Sequence, residues 1–289
     1  AINKIIKSKI KILFVVDKNK KLLGSVSSGD LRRSIGKKID LNQNIKKIMF
    51  KKPIYFYKGN KISFKKDLIC VPIVNKKKQI IDIEYKDKLK KVKKNTVFLI
   101  PGGKGTPIIE KIIINFRNQG FKNFVISVNY LGHKIKKYLG KGDRLKVKIK
   151  YINEKKYLGT AGSLSLLDLK NITFPIIVTN SDLISEIDYS NLISYHNKKK
   201  SDLTICGKNK IFQMPYGEIL NKFEKINKII EKPNISHLVN AGVYALSKNI
   251  LRNLARNKKL TMNELIMSQL RRKKKVFCYP IYENWVDIG

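Results

Sequence analysis

Two acids far apart in the chain carry the strongest chemical potential. Asp182 closes Asn180-Ser181-Asp182, and Asp287 lies in Trp285-Val286-Asp287-Ile288-Gly289. For either alone a helix N-cap is the plainer role. Brought together at a sheet edge they suit Mg2+, which takes oxygen ligands and leaves positions for waters and substrate phosphates. Gly102-Gly103-Lys104-Gly105-Thr106 follows the apolar run Thr96 to Ile100. Its glycines let backbone approach phosphates, and the helix expected after it points free N–H groups at them. It matches neither the Walker A loop nor GxGxxG, and Lys104 reads as a solvated lysine. In Leu158-Gly159-Thr160-Ala161-Gly162, two glycines free backbone to face a flat ligand such as a base, and Thr160 adds a hydroxyl. Alone, that motif would be a helix N-cap turn. Glu231-Lys232-Pro233 offers a carboxylate for sugar hydroxyls and a cation for a sugar phosphate, or a surface pair before a proline turn. Asn240-Ala241-Gly242 places Asn240 for a sugar hydroxyl. Together the six motifs supply the parts that transfer of a nucleotidyl group needs. His133, His196 and His237 have no partners at useful spacing.

Composition bounds the setting. The chain has 289 residues, 43% apolar and 9% aromatic, which describes a globular protein with room for one large or two smaller cores. No apolar run reaches a membrane span and no signal peptide opens the sequence. The three cysteines, Cys70, Cys206 and Cys278, are scattered, without CxxC or nearby histidine. These features predict a reducing cytoplasm and exclude a zinc or disulfide framework. The formal charge of +41 suggests nucleic acid or an anionic surface as partner. Lysines, however, fall on every kind of segment without interleaved aromatics, so the excess reads as compositional. The sequence begins at Ala1 and stops just after Asp287, which reads as a piece of a longer chain.

The elements that must position these residues follow from periodicity. Residues 1 to about 88 read as a small α/β unit. It has an amphipathic helix (Ile2, Ile5, Ile6), strand Ile12 to Val16, a turn at Asp17, strand Lys21 to Val26, and a helix opened by Ser28-Gly29-Asp30. A weaker second copy places Cys70 to Val74 and Gln79 to Ile83 where the first pair stood. Lys86 to Asn95 is the linker candidate. From 95 to 289, strands alternate with helices: Thr96 to Ile100, then a helix with Ile109, Ile112, Ile113 and Phe116, then Phe124 to Val128, a helix with Ile135 and Tyr138, and Val147 to Tyr151. This predicts an α/β fold with a doubly wound, mostly parallel sheet, whose ligands bind at the carboxyl ends of the strands.

Residues 95–289 resemble the sugar-1-phosphate nucleotidyltransferases, in the guanylyltransferase-like branch. Phe124 to Gly132, Tyr157 to Leu167, Pro215-Tyr216-Gly217, Glu231-Lys232-Pro233, Val239 to Tyr244 and Trp285 to Gly289 carry the likeness. Residues 1–88 resemble a CBS-domain pair through Gly24-Ser25-Val26-Ser27-Ser28-Gly29-Asp30. There the resemblance implies that Ser27 and Asp30 grip an adenine nucleotide; the second half, with Ile83-Glu84-Tyr85, lacks those residues.

The resemblance implies a Rossmann-like nucleotidyltransferase domain. A sugar 1-phosphate attacks the α-phosphate of a nucleoside triphosphate, GTP in the closest branch, and pyrophosphate leaves. The product would be an NDP-sugar for surface polysaccharide or glycoconjugates. Asp182 and Asp287 would hold Mg2+, Lys232 the sugar phosphate, and Gly217, Glu231 and Asn240 the sugar. Gly102, Gly103, Gly105, Thr106, Gly159, Thr160 and Gly162 would frame the nucleotide. The pattern departs at one point: the family continues its glycine loop with an Arg and later a Lys-Pro, whereas Thr106 here runs into Pro107-Ile108-Ile109-Glu110. Two alternatives therefore stay open, a binder of nucleotide or sugar phosphate with little turnover and, ranked last, a basic nucleic-acid binder. Base, sugar and assembly into a homo-oligomer stay open as well.

Overall fold

A computed structural model describes residues 5, 11–37, 44–60, 62, 68, 70–85, 93–100, 106–129 and 132–288. The chain divides into two compact units, Ala1–Lys90 and Lys91–Gly289. Among the described residues no helix is long and apolar enough to cross a membrane.

In the first unit, strands β1 (Ile12–Val16) and β2 (Leu22–Ser27) form an antiparallel hairpin that runs into helix α1 (Ser28–Gly36). Strand β3 (Phe56–Tyr57) lies parallel to β4 (Cys70–Val74), which pairs antiparallel with β5 (Ile80–Tyr85). The repeat expected from sequence is present in the backbone. Asp17 Oδ1 accepts from the Asn19 and Lys21 N–H groups at 2.9 Å, and Asn75 Oδ1 accepts from those of Lys77 and Gln79 at 3.0 Å. Lys20 and Lys78 hold the matching left-handed position in each turn, and the register shifts at Val15/Val16 and again at Ile73/Val74. Lys21 bridges Gln79, so the two turns meet. Apart from Ile5, which is buried, the helix expected over the first residues lies outside the described residues, as does most of the span 61–69.

The second unit is built on a seven-stranded sheet. Its strands are β6 (Lys93–Ile100), β7 (Phe121–Val128), β8 (Lys148–Asn153), β9 (Ile176–Asn180), β11 (Leu203–Gln213), β14 (Asn234–Leu246) and β15 (Val276–Ile281). They lie in the order β15-β11-β14-β9-β6-β7-β8. Every neighbouring pair is parallel except the two that β14 makes. Two short ribbons stand outside this sheet: β10 (Leu183–Ser185) with β16 (Trp285–Asp287), and β12 (Glu218–Lys222) with β13 (Lys225–Ile230).

Alternation along the central strands buries both faces, as a parallel sheet covered by helices requires. Val97, Leu99, Phe124, Ile126, Ile177, Val243 and Ala245 face one core. There they meet Ile109, Ile112, Ile113 and Phe116 of α2 (Thr106–Asn118), Leu139 of α3 (Gly132–Leu139), and Tyr189 and Leu192 of α5 (Tyr189–Lys198). The intervening Phe98, Ile100, Val125, Ile176, Val178, Tyr244 and Leu246 face the other. They meet Ala161 of α4 (Gly159–Gly162), Ile250 and Leu251 of α6 (Lys248–Arg252), and Leu265 and Ile266 of α7 (Met262–Arg271). The doubly wound, mostly parallel sheet expected from the strand–helix alternation is the observed one.

His196 of α5 belongs to this scaffold. It is 2% exposed, with Nδ1 at 2.9 Å from Thr204 Oγ1 and Nε2 at 2.9 Å from Ser247 Oγ. Burial pulls its pKa down to about 4, against a weak opposing pull from Asp202. The unfolded chain therefore binds this proton first. The stability His196 gives as a neutral ring is complete above about pH 6.5 and declines as pH falls toward 4. Unfolding free energies from urea titrations at pH 7.5 and pH 5 should differ by on the order of 2 kcal/mol through this group, a difference that His196→Asn should largely remove.

Candidate active site

Strand order places the site. From β6 the chain moves outward through β7 to β8, then returns to β9 on the other side of β6. The crevice at the carboxyl ends of β6 and β9 is thus the point where the winding reverses, the general ligand position in open α/β sheets. Ile100 pairs with Asn180 across that point, and the Ser181 N–H donates to the Ile100 carbonyl at 2.9 Å.

The acids come together there. Asp182 sits in the turn between β9 and β10, and β10 pairs antiparallel with β16 so that Leu183 lies opposite Asp287. The Ile288 N–H donates to the Asp182 carbonyl at 3.1 Å, which closes the ribbon at its acidic end. Oδ1 of Asp182 is buried and has no hydrogen-bond partner. A buried, uncompensated carboxylate oxygen costs free energy, and a cation beside it would offset that cost. Asp182 and Asp287 thus fit a divalent ion. Among the described residues no group of three or more acidic, histidine or cysteine side chains gathers, so waters and phosphates would complete its shell.

The Asn-Ala-Gly motif lies against the same ribbon. β11 and β14 lose register between Ile205 and Gly207, and the excess residues of β14 form a bulge around Ala241 and Gly242. Asn240 fastens this bulge: Oδ1 accepts from the Gly242 N–H at 3.0 Å and Nδ2 donates to the Tyr244 hydroxyl at 2.9 Å. Its side chain thus has local partners beside the sugar-hydroxyl role expected from sequence. The Trp285 indole donates to the Ala241 carbonyl at 2.9 Å, tying β16 to the bulge. Gly242 has φ +67°, and a Cβ there would stand 2.6 Å from Leu183 Cδ1 and 3.2 Å from Asn180 Nδ2. Gly242→Ala should cost about 1–2 kcal/mol in chemical denaturation through its backbone angle. Displacing Leu183, the neighbour of Asp182, should also lower turnover by roughly tenfold in an activity assay.

Glu231, Lys232 and Gly217 gather at the open end of the β12–β13 ribbon, where Glu218 pairs with Ile230. A Cβ on Gly217 would stand 3.2 Å from Glu231 Oε2, so glycine leaves room for that carboxylate. Lys232 adopts φ +43°, and the Met214 N–H donates to the Pro233 carbonyl at 2.9 Å. Gly217, Glu231 and Lys232 therefore share one neighbourhood, with Glu231 and Lys232 exposed.

The Leu158–Gly162 motif has a second explanation in packing. The motif itself forms the short helix α4, where sequence periodicity predicts a helix beginning after it. Gly159 has φ +78° and would set a Cβ 2.6 Å from the Leu260 carbonyl oxygen; Gly162 would set one 2.5 Å from that of Lys258. Ala161 and Gly162 donate to the Leu260 carbonyl at 2.9 and 3.0 Å, and Thr160 Oγ1 accepts from the Met262 N–H at 2.8 Å. These glycines are needed for close backbone contact, and the threonine hydroxyl is engaged there. Sequence reasoning passed over Glu154, whose carboxylate accepts from Ser127 Oγ and from the Leu158 N–H at 3.0 Å. It binds the motif to the carboxyl end of β7, and its one sequence signal is an acid shortly before a glycine turn. Lys208 was missed too: its half-buried ammonium donates to the Tyr282 and Glu283 carbonyls at 3.2 and 2.7 Å, just ahead of β16. Burial depresses its pKa, opposed by Glu283.

Gly102, Gly103 and Gly105 lie outside the described residues, and Thr106 opens α2. In the first unit Ser27 and Asp30 form a capping box on α1. Asp30 Oδ2 accepts from the Ser27 N–H and hydroxyl at 2.8 and 2.6 Å, and Oδ1 takes Arg33. The adenosine-binding pair expected by resemblance therefore has a helix-capping role in the structure.

Comparison with known proteins agrees with this geometry. The chain is 31% identical over 176 residues to mannose-1-phosphate guanylyltransferase catalytic subunit beta of Dictyostelium discoideum, covering 59% of this chain and 49% of that protein. It is 30% identical over 190 residues to D-glycero-alpha-D-manno-heptose 1-phosphate guanylyltransferase of Campylobacter jejuni, covering 63% and 80%. It spans about half the length of the mannose-1-phosphate relatives. The crystal structure of HddC from Yersinia pseudotuberculosis complexed with GMP-PN superposes with a TM-score of 0.52 at 25% identity, covering 68% of this chain and 94% of that one. Residues 72–289 match the sequence profile of the nucleotidyl transferase family, a stretch that holds the switch-point crevice and both acids, and the chain belongs to that family.

Proposed function

We propose that the second unit transfers a nucleoside monophosphate from a nucleoside triphosphate to a sugar 1-phosphate. The observation that carries this reading is the convergence at the β6–β9 switch point of Asp182, with its unpartnered buried oxygen, the Asp287 strand and the Asn240–Gly242 bulge. An oxygen of the sugar phosphate attacks the α-phosphorus, the bond to the β-phosphate oxygen breaks, and pyrophosphate departs with the electron pair. Positioning and charge neutralisation do most of such work. Asp182 and Asp287 would hold Mg2+, which supplies positive charge next to the phosphates when bound. Lys232 would neutralise the sugar phosphate, and Gly217, Glu231 and Asn240 would receive the sugar hydroxyls. The glycine segments at 102–105 and 159–162, with Thr106 and Thr160, would border the nucleotide. The relatives named as mannose- and heptose-1-phosphate guanylyltransferases support GTP as the donor and a hexose or heptose 1-phosphate as the acceptor. The NDP-sugar formed would feed surface polysaccharide or glycoconjugate synthesis in the cytoplasm.

A second reading has its own observation. β6 ends at Ile100 and α2 begins at Thr106, so only residues 101–105 connect them. This short connection supports a relative that binds nucleotide yet lacks the phosphate-clamping Arg and Lys, a loss of the kind worth on the order of 10³–10⁵ in rate. Pyrophosphate release with GTP, UTP, dTTP and CTP against a panel of sugar 1-phosphates separates the two. Release that needs both substrates supports the transferase. Nucleotide-induced thermal stabilisation without release supports the binder.

For the first unit we carry the CBS-type regulatory reading as a proposal, supported by the matched turns at Asp17 and Asn75. Ser27 and Asp30 would then meet an adenine nucleotide only by giving up part of their capping box. AMP and ATP should raise the unfolding temperature of the wild type and leave Ser27→Ala unshifted; equal shifts in both would remove Ser27 from that role.

A further inference from the structure

A cavity of about 500 Å³ opens where the segment after α4 meets α6, lined by none of the residues assigned above. Lys170, Lys248, Arg252 and Arg256 surround it, and Leu166 and Leu167 contribute an apolar lining. A neighbouring cavity of about 590 Å³ shares Leu166 and Arg256 with it and adds Lys155 and Lys156. Asp168 is the sole acid in either lining. Its carboxylate already accepts from the Lys170 N–H at 3.1 Å and the Asn171 amide at 2.6 Å, contacts that lower its pKa.

Lysine excess alone does not account for this cluster. Lysine is the default cation of the chain, and only 8 of the 62 basic residues are arginine. Two of those eight stand at this cavity. Arg33 and Arg144 have carboxylate partners, in Asp30 and Glu110. Arg252 and Arg256 have no hydrogen bond or ion pair among the described residues. Lys248 and Arg252 lie one helical turn apart on α6, a like-charge spacing that costs free energy without a counter-ion. Lys248 also projects toward the Phe174 ring, its ammonium 6.0 Å from the centroid, which holds it beside the opening. Like charges crowded around a concavity with apolar walls focus a positive potential inside it. Arginine's planar fork binds phosphate oxygens in pairs, where a lysine offers only a point charge.

We infer that this cavity is a second anion site, separate from the switch-point crevice, that takes a di- or triphosphate group. That group comes either as free inorganic polyphosphate or as the tail of a nucleotide whose ring rests on the leucine lining. The inference does not depend on turnover at the first site.

Calorimetric titration of the full chain with inorganic tripolyphosphate and, separately, with GTP tests it. The double variant R252S/R256S removes the arginines; R271S/R272S removes the same charge from the basic run at the end of α7. All four positions are exposed, so both proteins should fold, which circular dichroism checks. With R252S/R256S, tripolyphosphate affinity is expected to fall about tenfold or more, while R271S/R272S stays within about twofold of wild type. Loss confined to tripolyphosphate assigns the site to free polyphosphate; loss of one of two GTP binding steps assigns it to a nucleotide. Wild-type titrations of R252S/R256S with both probes, or equal weakening by the two double variants, would overturn the proposal.

Discussion

Asp182→Asn should lower pyrophosphate release by about 10³-fold or more while leaving the fold as stable as the wild type. The two effects part because Asp182 has a buried Oδ1 with no partner in the protein. A group of that kind costs stability until a cation joins it, so replacing its charge by a neutral amide of the same shape removes a cost and no native contact. Turnover loses far more, because charge on the phosphates must be neutralised where the bond breaks. Release kinetics in Mg2+ and urea denaturation of the same preparation check both halves. An Asp182→Asn protein with near-normal turnover would remove Asp182 from the metal role. A large loss of stability would mean that the oxygen has a structural partner after all.

The second large effect concerns folding. Gly159→Ala should destabilise the chain by about 3 kcal/mol or more. The new Cβ meets the Leu260 carbonyl oxygen at 2.6 Å, in a residue already at φ +78°. Backbone cannot swing aside as a side-chain end can, and Ala161 and Gly162 hold that same carbonyl by hydrogen bonds. Gly140→Ala provides the comparison, since Gly140 has φ +54° with nothing within 4 Å of its Cβ position. It should cost only the conformational part, about 1 kcal/mol. Guanidinium midpoints for the two variants measure the difference; equal losses would show that close packing against Leu260 does not constrain the motif.

The central sheet was legible because its physics is local. Val97 to Ile100 and Ile176 to Val178 are continuous apolar runs followed by turns, and buried parallel strands must look that way. The Ile109, Ile112, Ile113, Phe116 stripe likewise announced α2. Asp182 and Asp287 each follow a short apolar run, so the metal pair could be proposed from sequence, whereas the switch point needed the observed strand order. What escaped depends on distant contacts. Lys228 to Ile230 reads as a strand, but nothing local in Glu218 to Lys222 alternates cleanly, and the ribbon the two form leaves both Ile219 and Phe223 exposed. The antiparallel insertion of β14 between β9 and β11, and its bulge, arise from pairing across long separations. The packing role of the glycines at 159 and 162 escaped because their partner, Lys258 to Leu260, lies about a hundred residues on. Ser27 and Asp30 were read through a resemblance, whereas their spacing alone is that of a capping box.

Phosphorus NMR of the protein with GTP, a hexose or heptose 1-phosphate and Mg2+ puts the central claim to its most direct test. The account predicts that the triphosphate and sugar phosphate signals fall together while a sugar-linked diphosphate and pyrophosphate rise in equal amounts, with none of this in Asp182→Asn. Unchanged triphosphate and sugar phosphate signals, across the four nucleotides and the sugar panel and under conditions where nucleotide is bound, would contradict it.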